Sequence, residues 1–197
     1  MADLARIDTY KMQMSYGSQR CRLVLNDSRY THDVVALRND AKLNRYIHHE
    51  LLTEEMHDRW LSAQLGRRDA LNFAILVRGA FAGTLSLYNI TRDTAEFGRF
   101  ILRDGIARVY APVASLLATS FGFEILGLPE LHSKVLEDNQ RALSFIERIG
   151  WRRDSRYDEQ VTFHGERTRV IGHSLSADAW PAVFDQDRDL LTRLLVG

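Results

Sequence analysis

A glycine turn between a strand pattern and a long helical pattern is the feature of this sequence best suited to binding chemistry. Residues 96–102 mix aromatic and aliphatic side chains over the length of a strand, and Gly105 follows within three residues. Apolar residues then recur at helical spacing from Ile106 to Phe121. A helix that begins after such a turn has unpaired N–H groups and a positive dipole end, which bind phosphate. The pattern indicates a phosphate site, although an isolated strand–glycine–helix unit is usually only a packing solution.

A second strand and a second helix follow this unit. Gly127 is placed to terminate the first helix, and residues 131–136 have the composition of a short strand. The next helical pattern covers residues 140–149 and stops at Gly150-Trp151. Asn139 stands directly before it, where asparagine is favoured as a helix cap. The chain therefore predicts the order strand, turn, helix, strand, helix.

Four motifs in this order resemble the core of the GCN5-related N-acetyltransferases (GNATs). They are A-E-F-G-R-F-I-L, the Gly105-x-Ala107 turn, F-G-F-E-I-L-G-L, and V-L-E-D-N-Q-R-A-L-S-F-I-E-R-I-G-W at residues 135–151. The resemblance implies an α/β fold with a mixed, mostly antiparallel sheet of six to seven strands flanked by helices. It also implies that the fourth and fifth strands splay apart, and that an acetyl group passes directly from acetyl-CoA to an amine.

The resemblance places acetyl-CoA along the glycine turn and between the splayed strands. The residues that it assigns to this cosubstrate are Phe100, Ile101, Leu102, Arg103, Gly105, Ile106, Ala107, Arg108, Asn139 and Phe145. The family pattern Q/R-x-x-G-x-G/A is met only in its second half, because Leu102 stands where Gln or Arg is expected. Arg103 is expected to substitute, and Asp104 would repel a pyrophosphate unless an arginine turned it away. Pro112 predicts that the regular helix begins nearer Tyr110.

Glu96 and Asn139 are the catalytic candidates. Glu96 matches an acidic position that many relatives use as a general base through a water, and the alternative is a solvated carboxylate or a pair with Arg99. Asn139 matches an asparagine that contacts the pantetheine arm or the reacting group, but it would serve equally as a cap. Ile146 occupies the position of a tyrosine that protonates the leaving thiolate in many relatives. The thiolate would therefore leave unassisted, or Tyr110 would substitute.

The acceptor is predicted to be a primary amine of a small molecule. V-L-E-D-N, with L-R-N-D at residues 37–40, resembles acetyltransferases that act on nucleotide-linked amino sugars. Candidate acceptor contacts are Glu137, His48, His49 and Trp151, although Glu137 could simply cap a helix and the two histidines could lie in a solvated loop. Alternative functions are acetylation of a protein N-terminus or an aminoglycoside, and binding of an acyl-CoA without catalysis.

The amino-acid composition limits the kinds of partner that this chain is expected to bind. Lys+Arg and Asp+Glu both number 26, so no global charge favours nucleic acid or an anionic membrane. The single cysteine, Cys21, excludes an intrachain disulfide and fits a reducing cytoplasm. No apolar run approaches membrane-spanning length. No histidine, cysteine or acidic spacing predicts a metal site, and we expect a monomer or a homodimer.

The remaining patterns predict one domain over residues 1–197. Residues 1–17 read as a lead-in, 20–175 as the core, and 176–197 as a C-terminal helical tail with an amphipathic stretch at 187–196. Within the core we expect a strand at 20–25, a helix from residue 33, and a helix at 54–64 capped by Thr53. Strands at 71–77 and 81–88 form a hairpin around Gly79, and strands at 157–163 and 167–174 form a closing hairpin.

Overall fold

Nine strands form one sheet in the part of the chain that the computed structural model describes, residues 15–17, 20–47 and 50–185. They are β1 (Ser15–Gly17), β2 (Cys21–Leu25), β3 (Ala70–Val77), β4 (Ala80–Tyr88), β5 (Thr94–Leu102), β6 (Glu130–Leu136), β7 (Arg152–Arg153), β8 (Glu159–Phe163) and β9 (Glu166–Ser176). Their order is β1-β2-β3-β4-β5-β6-β9-β7, and β8 pairs with β9. The β5–β6 pair is parallel and the other pairs are antiparallel. The mixed, mostly antiparallel sheet is therefore confirmed.

The strand count is higher than the six to seven expected. The strands that the sequence did not indicate are β1, with three residues, and β7, with two. Both are too short to show the alternation by which a strand is recognised. β1 pairs with β2, so the expected lead-in ends in a strand of the sheet. Residues 187–196, where an amphipathic helix was expected, lie outside the described residues.

Helices cover both faces of the sheet. They are α1 (Thr31–Arg38), α2 (Glu54–Leu65), α3 (Ala107–Ser120) and α4 (Gln140–Arg148), and residues 180–185 are also helical. The larger core cluster joins the sheet to α3 and α4 through Val113, Leu117 and Ile146. The smaller cluster joins the other face to α1 through Val34 and Leu37. As expected, the Thr53 hydroxyl caps α2 by accepting the Met56 N–H at 3.2 Å.

α3 begins at Ala107, not near Tyr110, so the effect predicted for Pro112 was wrong. Pro112 lies inside the helix. A proline there removes one backbone hydrogen bond, but Val113 and Ala114 are fully buried beside it and hold the helix against the sheet. α3 then continues as one π-helical segment, Phe121–Ile125, before the chain turns at Gly127 with φ of +67°. Gly127 therefore terminates the helix as predicted.

The pairing of β4 with β5 contains a bulge beside the candidate site. The register shifts between Thr84 and Ser86, and Arg99 on β5 has a left-handed φ of +53°. Non-glycine residues rarely adopt this conformation, and such residues cluster at functional sites. Gly83 makes the close approach possible, because a Cβ at this position would lie 2.1 Å from the Ile101 carbonyl oxygen.

Replacing Gly83 with alanine is expected to destabilise the protein by about 3 kcal/mol, because β5 must move away from β4 to relieve the overlap. Thermal and urea unfolding measure the change. The matched control is Gly66→Ala at the end of α2, where φ is −76° and the nearest atom to a new Cβ is 3.9 Å away. That control should change stability by no more than about 0.5 kcal/mol. Equal unfolding free energies for the two variants would show that the bulge does not need a glycine.

Candidate active site

The parallel strands β5 and β6 separate after only three paired positions. The register runs Thr94 to Glu130, Ala95 to Leu131 and Glu96 to His132, and then stops. Beyond this point β6 keeps its pairing with β9, while β5 keeps its pairing with β4. The backbone edges that face each other across the opening thus lack a ladder partner, and buried backbone groups require one. This is the splay that the family resemblance implied.

A cavity of about 320 Å³ occupies the opening, and we call it the gap cavity. Its lining residues are 97–101 of β5, 133–136 of β6, Asn139, Ala142, Phe145 and Ile146 at α4, and Arg38, Tyr46 and Ile47 from the segment after β2. None of these lining residues is an aspartate or a glutamate. The cavity therefore combines an apolar wall with unpaired backbone groups and positive charge, which fits a slender, amide-containing arm of an anionic cosubstrate.

The glycine turn lies at the start of α3. Gly105 has φ of +83°, and a Cβ there would meet nothing within 4 Å, so the turn is open. Ile106 packs against the larger core. Ala107 and Arg108 begin α3, and only their backbone positions are described. The turn and helix N-terminus predicted as a phosphate site are thus present.

The charged residues of the turn are not arranged as expected. Arg103 forms an ion pair with Asp33 of α1, and its guanidinium lies 5.3 Å from the centre of the Phe81 ring. The Arg103 guanidinium is therefore already paired within the chain. Asp104 accepts the Gly105 N–H at 3.1 Å, so a carboxylate uses one of the donors expected to bind phosphate. Leu102 is buried in the larger core and does not line the gap cavity.

Asp104→Asn is expected to tighten acetyl-CoA binding about threefold to tenfold, because it removes a like charge from the phosphate turn and keeps an acceptor for Gly105. Calorimetric titration with acetyl-CoA at low ionic strength measures the effect. Asp93→Asn is the control, since Asp93 is exposed in the turn before β5. Weaker binding in the Asp104 variant would mean that the carboxylate supports the turn.

Glu96 is buried at the last paired position of β5. It accepts hydrogen bonds from the Tyr88 hydroxyl at 2.6 Å and the Asn89 amide at 3.2 Å, and His132 Nε2 lies 3.8 Å away. Burial raises the pKa of Glu96, but the contacts with His132 and Tyr88 outweigh burial and lower it overall. Glu96 is therefore ionised at neutral pH. It is not paired with Arg99, and it does not line the gap cavity.

Asn139 caps α4, since its side-chain oxygen accepts the Ala142 N–H at 3.1 Å. The same residue lines the gap cavity, as do Phe100, Ile101 and Phe145. Ile146 is buried there and brings no hydroxyl. Tyr110 packs against the larger core instead. Tyr46 also lines the cavity, and its hydroxyl donates a hydrogen bond to the Asp138 carbonyl oxygen at 3.2 Å. Tyr46 belongs to none of the motifs, so the sequence did not indicate it.

The candidate acceptor residues lie apart from the cavities or outside the described residues. Glu137 is exposed and lies 3.7 Å from Arg169, and the side-chain cap of α4 is Asn139, so the capping role for Glu137 was wrong. Trp151 is 2 % exposed and packs 5.6 Å from Phe97, which makes it a core residue. His48 and His49 fall outside the described residues. Within those residues, no group of three or more His, Cys, Asp or Glu side chains could hold a metal ion.

A second cavity, which we call the α1–α2 cavity, has a volume of about 330 Å³. It is lined from α1 and α2 by Val34, Arg38, Met56, His57 and Trp60, and from the strands by Asn72, Phe73, Thr84, Leu85, Ser86 and Arg99, with Asn26 and Leu52 between them. Arg38 and Arg99 line both cavities. The two arginines therefore mark the place where the cavities meet.

His57 of α2 is a titratable residue that sequence reasoning missed. The Thr31 hydroxyl donates to Asp58 and lies 3.0 Å from His57 Nδ1, so it accepts a hydrogen from that nitrogen. His57 Nε2 then keeps its lone pair, and within the described residues it has no hydrogen-bond partner. Burial lowers the pKa of His57, which keeps the ring neutral at neutral pH. No motif marks this residue, because its partners come from two helices.

Comparisons with known proteins identify the family to which this chain belongs. The model of the family described as "Acetyltransferase (GNAT) domain" matches residues 22–152, so the chain belongs to this family. Spermidine N(1)-acetyltransferase of Escherichia coli K12 is 26% identical over 152 residues, covering 74% of this chain and 78% of the relative.

Solved structures share the fold. A GCN5-related N-acetyltransferase from Brucella melitensis superposes with a TM-score of 0.78 at 21% identity, covering 90% of this chain and 85% of the other. FdhC, described as a nucleotide-linked sugar GNAT, superposes with a TM-score of 0.71 at 20% identity, covering 93% of this chain and 99% of the other. At these identities the structures establish the fold. No helix among the described residues is both long and apolar enough to cross a membrane.

Proposed function

We propose that this chain transfers an acetyl group from acetyl-CoA to the primary amine of a small molecule. The observation that carries the proposal is the gap cavity, which opens where β5 and β6 separate and is lined by Phe100 and Ile101 near the end of β5. The cavity supports binding of a pantetheine arm by backbone groups, and the start of α3 supports binding of phosphate. Arg38 and Arg99 link this cavity to the α1–α2 cavity, which we propose as the acceptor site.

Acetyl transfer from a thioester to an amine requires the protein mainly to position the two substrates and to remove a proton from the amine. Acetyl-CoA supplies a thioester, whose carbon–sulfur bond breaks as the amine nitrogen bonds to the carbonyl carbon. We assign Glu96 as the group that receives the amine proton through water, because its carboxylate is ionised and Glu96 occupies the last paired position before β5 and β6 separate. His57 is the second candidate, since its neutral ring belongs to the proposed acceptor cavity.

The acceptor is proposed to be an amino sugar linked to a nucleotide. The V-L-E-D-N and L-R-N-D motifs support this choice, and so does the structural likeness to a nucleotide-linked sugar GNAT. We propose that the chain acts in the cytoplasm, in keeping with its one buried cysteine, as a monomer or homodimer.

The test is release of the CoA thiol with a panel of amines, confirmed by the mass of the acetylated product. The panel contains an amino-sugar nucleotide, an aminoglycoside, a peptide with a free N-terminus, and spermidine. We expect product with the amino-sugar nucleotide. The Asp104 carboxylate at the turn and Ile146 at the missing tyrosine position favour the alternative of an acyl-CoA-binding protein without catalysis. Binding of acetyl-CoA without product from any of the four amines would favour that alternative.

A further inference from the structure

The α1–α2 cavity carries positive charge without acidic lining. Arg38 enters from the end of α1, Arg99 enters from the bulge of β5, and no aspartate or glutamate belongs to its described lining. A polyamine or an aminoglycoside carries several ammonium groups, which require carboxylates when they are withdrawn from water. The charge of this cavity is therefore opposite to the charge that a polycationic acceptor requires.

Arg38 has no ion-pair partner among the described residues. Arg38 as a whole is half-buried, and both burial and the nearby charge of Arg99 lower the pKa of its guanidinium. Asp33, the acidic residue of the first turn of α1, is paired with Arg103 instead. Two neighbouring cations without a carboxylate repel each other, and an anionic ligand would relieve that repulsion.

Arg99 is held in place by neutral groups. Its Nη1 donates to Asn72 Oδ1 at 3.1 Å, and Asn72 Oδ1 also accepts from the Ser86 hydroxyl at 2.7 Å. The guanidinium carbon lies 4.2 Å from the centre of the Tyr88 ring and 5.6 Å from that of Trp60. These contacts fix the orientation of the guanidinium, and within the described residues no carboxylate forms an ion pair with it, which is how a preorganised anion-binding arginine is arranged.

We propose that the acceptor amine carries an anionic group, either a carboxylate or a phosphate, that Arg38 and Arg99 bind where the two cavities meet. This inference rests on the proposed function, because it concerns the acceptor of that reaction. Guanidinium groups bind both kinds of anion through paired hydrogen bonds. The same charges exclude polycations, so spermidine is a poor acceptor for this chain despite the name of its curated relative.

Binding of matched probes tests the inference without requiring turnover. The protein is saturated with desulfo-CoA, which is not reactive, and titrated calorimetrically with D-glucosamine 6-phosphate and D-glucosamine, with L-serine and L-serinamide, and with spermidine. In at least one pair, the probe with the phosphate or carboxylate should bind about tenfold or more tightly than the matched probe that lacks this anionic group. The sugar pair reports a phosphate and the serine pair reports a carboxylate.

Substitution of each arginine tests whether it causes the preference for the anionic group. Arg38→Gln and Arg99→Gln should each reduce the difference in affinity between the two probes of a pair to about threefold or less. The control, Arg59→Gln, changes an exposed arginine of α2 and should keep the preference. Acetyl-CoA affinity is measured in all three variants as well, because Arg38 and Arg99 also line the gap cavity.

Four outcomes would overturn the inference: equal binding within both pairs, no binding of either anionic probe, spermidine as the tightest ligand, or a preference that survives both substitutions. Loss of acetyl-CoA affinity in the Arg38 or Arg99 variant would assign the arginines to the cosubstrate instead. Failure of the proposed function is separate, since it appears as failure to bind acetyl-CoA or to form product in the wild-type protein.

Discussion

Replacing Ala142 with tryptophan is expected to weaken acetyl-CoA binding at least about a hundredfold. Ala142 lies on α4 and lines the gap cavity, together with Phe145 of the same helix and Phe100 across the opening. An indole at this position would fill much of the space assigned to the pantetheine arm. The fold should survive, because the new side chain enters a cavity and not the closed core.

Ser144→Trp is the matched control for this prediction. Ser144 is exposed on α4, so the control adds the same ring to the same helix without entering the cavity. Calorimetry with acetyl-CoA, and thermal unfolding of both variants, separate a blocked site from a damaged fold. Unchanged acetyl-CoA affinity in a folded Ala142 variant would show that the cosubstrate does not lie between β5 and β6.

Replacing Glu96 with glutamine is expected to lower kcat about a hundredfold, while the KM for acetyl-CoA changes little. The carboxylate is the proposed proton acceptor, and an amide cannot take that proton. Because the contacts with His132 and Tyr88 lower the pKa of Glu96, the wild-type enzyme should show no acidic limb from this residue above about pH 5. Steady-state rates between pH 5 and pH 9 measure both effects. Thermal unfolding and acetyl-CoA binding check that the buried substitution leaves the protein folded.

Two further variants test whether Glu96 or His57 accepts the amine proton. Tyr88→Phe removes a donor to the Glu96 carboxylate, so the pKa of Glu96 should rise and an acidic limb should enter the rate profile. A residue that only supports the fold would not move that limb. His57→Gln should cost less than about tenfold in kcat. If His57→Gln abolished activity and Glu96→Gln preserved it, His57 would be the proton acceptor.

Local sequence patterns predicted most of the fold because they record local physical requirements. Thr53 before an acidic first turn indicates a helix start, and Gly79 between two apolar runs indicates a hairpin; both features are present. Gly127 was predicted to end a helix and does so with a left-handed φ. Each of these signals lies within a few residues of the feature that it specifies, so tertiary contacts were not needed to interpret it.

The errors in the fold arose where tertiary packing outweighed local preference. Pro112 is unfavourable within a helix, but burial of the residues that follow it keeps α3 regular from Ala107. β1 and β7 are too short for alternation to reveal, and pairing with a neighbouring strand defines them. The π-helical segment at the end of α3 left no signal in the spacing of apolar residues.

The candidate site was predicted in part. Phe100, Ile101, Asn139 and Phe145, which the family motifs assigned to acetyl-CoA, line the gap cavity. Their contact with acetyl-CoA stays a prediction. Arg38, Arg99 and His57 could not be predicted as a group, because they come from α1, β5 and α2, and only the fold brings them to one cavity. Trp151 was misplaced because a tryptophan after a glycine fits a pocket wall and a core equally well, and its packing on Phe97 assigns it to the core.

Calorimetric titration of the wild-type protein with acetyl-CoA, and in parallel with desulfo-CoA, tests the central claim most directly. The account predicts that both bind with one site per chain and a Kd in the micromolar range or tighter, about −8 kcal/mol. Such binding would show that the turn at Gly105 holds phosphate despite Leu102, Asp104 and Pro112. Absence of binding by either ligand would contradict the account, and the chain would then be a member of the fold family that acts on another ligand.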